Sequence, residues 1–570
     1  MIITKKLIFI FLHTFLFFTL SYADGVTPPD HRKEILSKLI KFNDEQIPEI
    51  LRRQLVDQGN IYFGAVFDRD SVVSPIGTSH LIQTLMCSYV SAGSSFFKSQ
   101  DILQRMIFAA NALLRLQHED GTIDLLTTNF HSTPDLGFTI YPTAFAYSIM
   151  LKNNKLHYGE LPEKMKQYLL KAGKALTVGG IHTPNHRWVV SGALAWINTL
   201  FPNPMYKNRV DQWLAEKIDI DQDGQYNERS TAVYTPITNM SLITLAKKMN
   251  YHYLYDHVRK NLNMTFFLVH SNGEIATESS NRQDQYIQRN MAGYYLAYTY
   301  MAILDKDSRY AGMVEYIEKT VPLSNLGYIL PYLIDDPALL QPLPKPDPLP
   351  TNYHKYFTYS DMVRIRREDV DLSIIMNNPT FITYFKGEAA LEGIRLSSAF
   401  FGKGQFQSQQ VEKEGETYVL SATLEGPYFQ PLPKNKLPVE GEAWGQVNRS
   451  EREQSEVQTL TTKIYITESN GKVRIKIAVD GPVNLPITLE IAFRLGGILS
   501  PVIQKEGIDH AFLIKEGEYA VYQKGKDSIK IGPGKSAHKW TQLRGALPKL
   551  QADCLYFTRY APCEFEFTIE

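Results

Sequence analysis

The nine residues from Pro342 to Pro350 read PLPKPDPLP, and every second one is proline. Proline lacks a backbone N–H and fixes φ at about −65°, so this stretch favours an extended conformation over a helix or a central strand. We therefore expect a linker at 341–351. The pattern of apolar residues differs on its two sides, which predicts one domain at 24–340 and another at 352–570.

Before the linker the sequence predicts one helix after another. Apolar residues recur there at helical spacing, and the intervening loops are rich in Gly, Pro, Asn and Asp. The clearest segments are Ile102–Leu114, Glu163–Leu176, Arg187–Leu200, Pro236–Met249 and Met291–Leu304. Paired helices with such loops suit a bundle, a solenoid or a closed toroid.

After the linker the period of the pattern changes to two. Val473, Ile475, Ile477 and Val479 alternate with other residues, and the Asn470-Gly471 pair before them is typical of a tight hairpin turn. Further strands are expected around Leu372–Ile375, Thr417–Leu424, Ile487–Phe493 and Tyr519–Tyr522. This part is therefore expected to be a mainly antiparallel sheet domain.

The first residues have the pattern of a secretion signal. Lys5 and Lys6 precede an apolar run from Leu7 to Leu20, and Ser21-Tyr22-Ala23 is a small-x-small cleavage pattern. We expect residues 1–23 to be removed and the protein to be periplasmic or secreted. No later stretch approaches the roughly 20 uninterrupted apolar residues of a membrane span.

The composition restricts the classes of partner. Sixty Lys and Arg residues balance sixty Asp and Glu residues, so no global field favours nucleic acid, and an anionic ligand must be held by a local cluster. Cys554 and Cys563 are close enough in sequence for a small disulfide loop. No cluster of metal ligands can be read from the sequence, and we expect no cofactor; a structural divalent cation stays open.

The first candidate site is 179–188, which reads GGIHTPNHRW. This glycine-marked loop runs into an apolar helix and places Asn185 and His186 at the helix N-terminus, where free amides and the helix dipole favour an anion. In the alternative interpretation, Asn185 only caps the helix and His186 is a surface residue of its first turn.

Two more polar segments precede predicted helices. Tyr234 ends the stretch that begins at Asp223 and lies just before Pro236, a residue type common at the first helical position. The alternative is that Tyr234 belongs to the core. In the segment 279–286, Arg282 is suited to grip a carboxylate with its forked guanidinium, or to pair with an acidic neighbour.

The first two segments resemble the heparinase II/III-like and alginate-lyase-like polysaccharide lyases. The matching residues are Asn185-His186 and, several tens of residues further on, Asp223, Gly224, Glu228, Ser230 and Tyr234. Members of that family join an (α/α) toroid of helical hairpins to a C-terminal antiparallel β-sandwich, and the order of the two predicted domains agrees. The resemblance therefore implies this fold for most of the chain.

The resemblance also implies a function. It predicts a lyase that cleaves a uronic-acid-containing polysaccharide by β-elimination, with Asn185 and His186 binding the uronate carboxylate and Tyr234 acting as acid and, in some members, also as base. Many members add a catalytic His or Tyr from the sandwich, and none can be identified in this sequence. We expect the substrate groove to include Arg282, Arg229, Glu228, Trp188, Asn129 and His131.

The chemistry of elimination explains why these residue types are needed. The C5 proton of a uronate is weakly acidic, because the adjacent carboxylate opposes a carbanion, and donors from Asn185, His186 and Arg282 would stabilise the developing charge. Histidine, with a reference pKa of about 6.5, accepts a proton at neutral pH, while tyrosine, at about 10, needs a nearby cation such as Arg229 to act as a base. Either His186 is the base and Tyr234 the acid, or Tyr234 takes both roles.

Two other classes of protein fit part of the pattern. A toroidal glycoside hydrolase uses two carboxylates roughly 5 to 9 Å apart. The acids available for this role are Asp124, Asp135, Asp223, Glu228 and Asp284. A non-catalytic glycan-binding protein needs only aromatic residues and a sheet domain, but this interpretation leaves the two polar helix entrances unexplained.

Overall fold

The computed structural model describes residues 29–441 and 443–570. The predicted secretion signal, 1–23, lies outside these residues. Within the described ranges, no helix combines the length and the apolar character that crossing a membrane requires.

Residues 29–340 are mainly helical. The helices are α1 (Pro29–Arg52), α2 (Pro75–Val90), α3 (Gln100–Leu116), α4 (Thr133–Lys152), α5 (Leu161–Val178), α6 (His186–Leu200), α7 (Pro204–Ala215), α8 (Tyr234–Met249), α9 (Leu254–Thr265), α10 (Tyr295–Asp305), α11 (Ser308–Thr320) and α12 (Leu330–Asp335). Two short hairpins, β1 (Val66–Phe67) with β2 (Val73–Ser74) and β3 (Ile123–Leu125) with β4 (Asn129–Ser132), precede α2 and α4. The predicted helices are confirmed, with a 3-10 turn at Met291–Tyr294 before α10.

The helices form two layers. Helix α4 is buried on nearly all of its faces, because its own apolar and small side chains lie all around its circumference. Helix α5 instead buries a single stripe of side chains. The inner helices α2, α4, α6 and α8 pack side by side, and each follows the previous one after a single outer helix, so they run parallel. Their N-termini therefore lie at one end of the domain. Because α12 packs against α2 and α4, the end of the series returns to its start and completes the toroid.

Residues 352–570 form the sheet domain. Its strands are β5 (Asn352–Phe357), β6 (Met362–Arg367), β7 (Val370–Ile375), β8 (Ile382–Lys386), β9 (Ala389–Ser398), β10 (Gly404–Gln405), β11 (Gln410–Glu414), β12 (Thr417–Phe429), β13 (Gln454–Ser469), β14 (Lys472–Asp480), β15 (Leu485–Phe493), β16 (Ile498–Ser500), β17 (Ile503–Gln504), β18 (Ala511–Leu513), β19 (Ala520–Lys524), β20 (Asp527–Gly532), β21 (Asp553–Ala561) and β22 (Cys563–Ile569).

These strands build two stacked sheets. One has the order β17-β18-β21-β15-β9-β8-β7-β6-β5, with β10 beside β9, and the other has the order β11-β12-β13-β14-β22-β20-β19-β16. The strands β18 and β21 pair in parallel, and neighbours such as β15 and β9 pair antiparallel. Apolar side chains of both sheets share one core. The predicted fold, a helical toroid followed by an antiparallel β-sandwich, is therefore confirmed.

The predicted Asn-Gly hairpin joins β13 to β14. Ser469 lies opposite Lys472, and Asn470 and Gly471 have φ values of 49° and 84°. A two-residue turn of this kind requires positive φ at both positions, which Asn and Gly adopt most readily. Ile475 and its period-two neighbours are fully buried, so the alternation in the sequence identifies the strand face that meets the core.

The two cysteines near the C-terminus do not form the disulfide that their spacing allowed. Cys554 and Cys563 are both free. Their side chains join different apolar clusters, since Cys554 packs with Ala492 and Tyr556 whereas Cys563 lies at the edge of the core between the sheets.

The proline-rich stretch lies against the toroid. It has no helix or strand between Pro342 and Pro350, and the Asp347 amide donates to the Ser308 carbonyl at 2.9 Å. A Cβ atom on Gly312 of α11 would lie only 1.9 Å from the Asp347 carbonyl oxygen. The absence of a side chain at Gly312 therefore allows the stretch to pack closely on α11.

A buried group of four charged residues connects the two domains. His270, from the loop before α10, lies 2.8 Å from Asp371 of β7 and 3.4 Å from Glu278, and Arg364 of β6 lies 3.0 Å from Asp371. Burial alone would lower the pKa of His270, but the carboxylates of Asp371 and Glu278 raise it to about 9. Two positive charges therefore balance two negative charges at the junction.

Candidate active site

Asn185 and His186 lie at the entrance of α6, as the sequence predicts. Asn185 is 2% exposed and its side chain makes no cap bond; instead its Nδ2 donates to Glu228 Oε2 at 2.6 Å. His186 is also buried. The alternative interpretation of Asn185 as a mere cap and His186 as a surface residue is therefore wrong.

Glu228 and Arg282 extend this contact towards α8 and α10. Arg282 Nε lies 3.4 Å from Glu228 Oε1, while the other oxygen of Glu228 accepts from Asn185. Burial raises the pKa of Glu228, although the Asn185 hydrogen bond and the Arg282 charge oppose this shift. The loops that precede α6, α8 and α10 thus meet through three polar side chains.

Tyr234 is the first residue of α8 and lies beside the same arginine. Its backbone N–H donates to Ser230 Oγ at 3.0 Å, and Arg282 lies over its ring at 5.2 Å from the centroid. Its hydroxyl donates to Gln283 Oε1 at 3.4 Å. Arg282 therefore contacts both Glu228 and Tyr234 and joins the two halves of the predicted site.

Several buried polar atoms at this entrance make no hydrogen bond within the described part of the chain. These atoms are Thr183 Oγ1, Asn185 Oδ1, His186 Nδ1, Glu228 Oε1 and Arg282 Nε. Most buried polar groups in folded proteins have a hydrogen-bond partner. A concentration of such atoms beside a partly exposed tyrosine is the arrangement expected of a site that binds a polar ligand.

His186 is held in its neutral form at neutral pH. Burial is the main cause, and the nearby His182 and Arg282 add to it, so the pKa of His186 falls to about 4 although Asp135 opposes the shift. The rings of His182 and His186 meet edge to face at 4.7 Å between centroids. A neutral imidazole can donate from one nitrogen and accept at the other.

Trp188 and His131 are not brought to this centre. Trp188 is fully buried and its indole donates to Asp219 at 2.8 Å, so the prediction that it lines the groove is wrong. His131 of β4 is exposed and lies 2.7 Å from Asp120, which precedes β3. Both side chains are held by acidic partners that lie outside the group formed by Asn185, Glu228 and Arg282, which we call the Asn185 cluster.

Asn129 contacts Asp135, an acidic neighbour of His186, rather than the Asn185 cluster itself. Its Nδ2 donates to Asp135 Oδ2 at 2.7 Å, and Asp135 is the residue whose charge acts on His186. Asn129 therefore orients an acidic neighbour of His186, and no direct contact joins Asn129 to the Asn185 cluster among the described residues.

Arg229 connects the domains, contrary to the prediction that it binds substrate or acts on Tyr234. Its backbone has a φ of 50°, and its guanidinium donates to the carbonyls of Ser360 and Tyr359 at 3.0 and 3.1 Å. Asp223 accepts from the backbone amides of the same two residues at 2.8 and 2.7 Å. The turn between β5 and β6 is thereby fixed to the loop that carries Glu228.

The sequence analysis did not single out two neighbours of the site. Gln283 accepts from the Tyr234 hydroxyl, and the Phe138 ring lies edge to face with His186 at 6.1 Å. Phe138 follows Asp135 by one turn of α4. Helical spacing therefore places both residues on one face near the start of the helix, and this could have identified Phe138 from the sequence. No sequence signal distinguishes Gln283 from its polar neighbours.

Within the described ranges, no group of three or more His, Cys, Asp or Glu residues is arranged to hold a metal ion.

Comparison with known proteins identifies the fold. No family model matches the sequence, and no curated protein matches it significantly. Chondroitin AC lyase of Streptomyces coelicolor A3 is similar in structure, with a TM-score of 0.57 at 11% identity over 95% of this chain and 82% of that chain. Heparinase III gives 0.55 at 12% identity over 88% and 80% of the two chains. A heparan sulfate lyase HepC mutant from Pedobacter heparinus gives 0.52 at 10% identity over 95% and 88%. The chain therefore has the toroid-plus-sandwich fold of these polysaccharide lyases.

Proposed function

We propose that this protein is a polysaccharide lyase that cleaves a uronic-acid-containing chain by β-elimination and leaves an unsaturated uronate end. The observation that carries the proposal is the group of buried polar atoms beside the Tyr234 hydroxyl: Asn185 Oδ1 and His186 Nδ1 make no hydrogen bond within the described chain, and Arg282 and Glu228 pair next to them. The shared fold adds support. The export predicted from residues 1–23 stays a prediction.

In this proposal the uronate carboxylate binds at the entrance of α6. Asn185 gives one Nδ2–H to Glu228, and its second N–H is available to the carboxylate of the substrate. The Arg282 guanidinium supplies a positive charge, and the positive end of the α6 helix dipole adds to it. Glu228 positions Asn185 and Arg282, because it contacts both. Donors fixed in this way stabilise the charge that grows on the carboxylate when the C5 proton leaves.

Tyr234 is proposed to carry the proton. In its deprotonated form its oxygen takes the C5 proton, the electron pair of the C5–H bond forms the C4–C5 double bond, and the bond from C4 to the glycosidic oxygen breaks. The tyrosine passes the proton to that oxygen, which restores the deprotonated form. The Arg282 charge over the ring favours negative charge on the tyrosine oxygen during the transfer. His186, with a pKa of about 4, is a weak base at pH 7, which favours Tyr234 in both roles over His186 as the base.

The contacts of the acidic residues favour elimination over glycoside hydrolysis. Asp223 is bound to the Tyr359 and Ser360 amides, and Asp284 accepts from Ser280 Oγ and the Ala232 amide. Asp124 and Asp135 are occupied by protein donors in the same way. Of these five acids, Glu228 alone lies at the proposed centre, where its partners are Asn185 and Arg282. The contacts of the described residues therefore pair none of the five acids across a groove.

The test is incubation with chondroitin, heparan sulfate, hyaluronan and alginate while two signals are recorded. Elimination raises the ultraviolet absorbance of the unsaturated uronate together with the number of reducing ends. A rise in reducing ends without absorbance would identify a hydrolase, and binding without either signal would identify a glycan-binding protein. Either result would remove the proposal.

A further inference from the structure

The toroid contains a small cavity of about 60 Å³ at the end opposite to the candidate active site. Phe145, Trp196 and Lys248 line it and belong to the C-terminal halves of α4, α6 and α8. Lys248 follows Tyr234 on α8, and at about 1.5 Å per residue the two lie roughly 20 Å apart along the helix. The cavity is therefore separate from the Asn185 cluster.

Most of the cavity wall is apolar. The Phe145 ring packs on Trp196 at 4.3 Å and on Tyr332 at 4.4 Å between centroids, so the three rings form one block. Ile243 of α8 and Leu296 of α10 add aliphatic surface. Packed rings of this kind offer a rigid apolar surface, and the wall therefore suits a ligand with a hydrocarbon part.

Lys248 is the polar exception in this wall. Its Nζ lies over the Trp196 ring at 3.2 Å from the centroid, and within the described residues it makes neither a hydrogen bond nor an ion pair. An ammonium has three donors, and a ring face satisfies those on one side only. The indole N–H of Trp196 is buried and also lacks an acceptor in the described part of the chain. The wall thus contains two kinds of donor that the protein leaves unpaired.

The charged groups around Lys248 leave one positive charge in excess. Lys152 pairs with Asp335 at 2.6 Å and Lys247 pairs with Asp336, so each of the two acids already has a cation. Burial lowers the pKa of Lys248 to about 8, although the charge of Asp335 opposes the shift. The side chain therefore keeps its charge at pH 7, and a single anion paired with it would balance the group.

We propose that this cavity binds a small monocarboxylate, whose carboxylate pairs with Lys248 while its hydrocarbon part lies against the aromatic rings. The volume has room for about four or five non-hydrogen atoms, which excludes a sugar residue. One carboxylate matches the one unpaired cation, and a charge-assisted hydrogen bond to an ammonium is a strong one. A sulfate or phosphate ion has no hydrocarbon part to fill the apolar wall.

The test compares propionate with propionamide, two probes of equal size that differ in charge. Titrations followed by saturation-transfer NMR on the full chain measure weak binding of either probe at pH 7. We expect propionate to bind about tenfold more tightly than propionamide, because only propionate forms a charge-assisted hydrogen bond with the ammonium.

Lys248→Met tests the origin of this preference. The variant keeps an unbranched apolar side chain in the cavity wall and lacks the ammonium, so it should bind both probes with similar affinity. Lys174→Met, at an exposed lysine of α5, is the matched control and should keep the full preference. The proposal is overturned if propionate does not bind the unmodified protein, if propionamide binds it as tightly, or if Lys248→Met keeps the preference. None of these measurements depends on turnover of a polymer.

Discussion

At the scale of single residues, four side chains from three loops divide the work. Asn185 and Arg282 are suited to hold a carboxylate, Glu228 contacts both, and Tyr234 lies beside Arg282 with its hydroxyl partly accessible. Neutral His186 adds a donor or an acceptor without adding charge. Substitution of each of these residues should therefore change a different measurable property, such as kcat, substrate binding or the free energy of unfolding.

Tyr234→Phe should abolish elimination while the fold and substrate binding persist. The substitution removes only the hydroxyl that donates to Gln283, and loss of a general acid or base costs roughly 10²- to 10⁴-fold in rate. Steady-state kinetics on the best polymer, with calorimetric binding alongside, measures both properties. Tyr253→Phe, at an exposed tyrosine before α9, is the matched control, and a fully active Tyr234→Phe enzyme would exclude Tyr234 as the proton carrier.

Asn185→Ala should lower kcat by about 10²- to 10³-fold, since it removes a donor to the charge that develops in the transition state. It should also destabilise the fold by about 1–3 kcal/mol, because the buried Glu228 carboxylate loses its 2.6 Å donor. Initial rates and urea unfolding measure the two effects. Asn208→Ala, on the exposed face of α7, should change neither, and an unchanged kcat for Asn185→Ala would contradict its role.

The sequence predicted the types and positions of these residues at the helix entrances but not their partners. Asn185 and Tyr234 were identifiable because polar residues precede apolar helices at both places. The bond from Asn185 to Glu228 joins two loops that are 43 residues apart, so it depends on how α6 and α8 pack. Trp188 and Arg229 were assigned wrongly for the same reason: their partners, Asp219 and Ser360, become neighbours only in the folded chain.

At the scale of elements, the junction of the toroid loop with β6 and β7 should make stability depend on pH. The folded-state pKa of His270, about 9, exceeds its ordinary value of 6.5. The contribution of His270 to the free energy of unfolding is therefore complete below pH 6.5 and is lost as the pH rises through 9. The pKa of Asp371 is lowered to about 2 from 3.8, and that of Glu278 is lowered from 4.5. The contribution of these two carboxylates to the free energy of unfolding is present above their ordinary pKa values and is lost as the pH falls through their folded-state values. Unfolding free energy should therefore be largest between about pH 5 and 6.5.

Chemical denaturation across this pH range measures the effect, and His270→Gln tests its origin. The substitution leaves two buried carboxylates with Arg364 alone and should cost about 3–5 kcal/mol at pH 6. It should also remove most of the decline in stability between pH 6.5 and 9. An equally steep alkaline decline in the variant would assign the effect to other groups. His510→Gln, at an exposed histidine paired with Asp553, is the control.

Gly312→Ala should weaken the contact between the proline-rich stretch and α11. The added methyl would meet the Asp347 carbonyl oxygen at 1.9 Å. Overpacking of this kind typically lowers the free energy of unfolding by 1–3 kcal/mol, here about 2 kcal/mol. Thermal unfolding should show a lower midpoint. Gly93→Ala, where an added Cβ meets nothing within 4 Å, should be nearly neutral, and equal effects at both glycines would show that the contact with Asp347 does not matter.

Helices and strands were predictable to different extents. Long periodic segments such as α6 and the β13–β14 hairpin have unambiguous patterns. Short strands such as β10 and β17 contain two residues each, which is too few for a period to be visible. The order of strands within each sheet depends on contacts distant in sequence, such as β9 beside β15, and the sequence pattern does not contain that information.

At the scale of the whole molecule, the two domains meet at the end of the toroid where the inner helices begin. The loop before α8 is bound to the β5–β6 turn through Asp223 and Arg229, and the loop before α10 is bound to β7 through His270 and Glu278. The same loops carry Glu228 and Arg282. Docking of the sandwich therefore fixes the geometry of the candidate site, although none of the described sandwich residues contacts Asn185, Glu228 or Arg282.

The most direct test of the account is mass spectrometry of the products formed from a hyaluronan or chondroitin oligosaccharide in water enriched in the heavy oxygen isotope. Elimination breaks the glycosidic bond without adding water, so the account predicts a new non-reducing end that is lighter than the hydrolysis product by one water. The product formed at cleavage should also carry no heavy oxygen beyond the slow exchange seen at every reducing end. Products that have gained one water with the heavy isotope at the cleaved bond would show hydrolysis and would contradict the account.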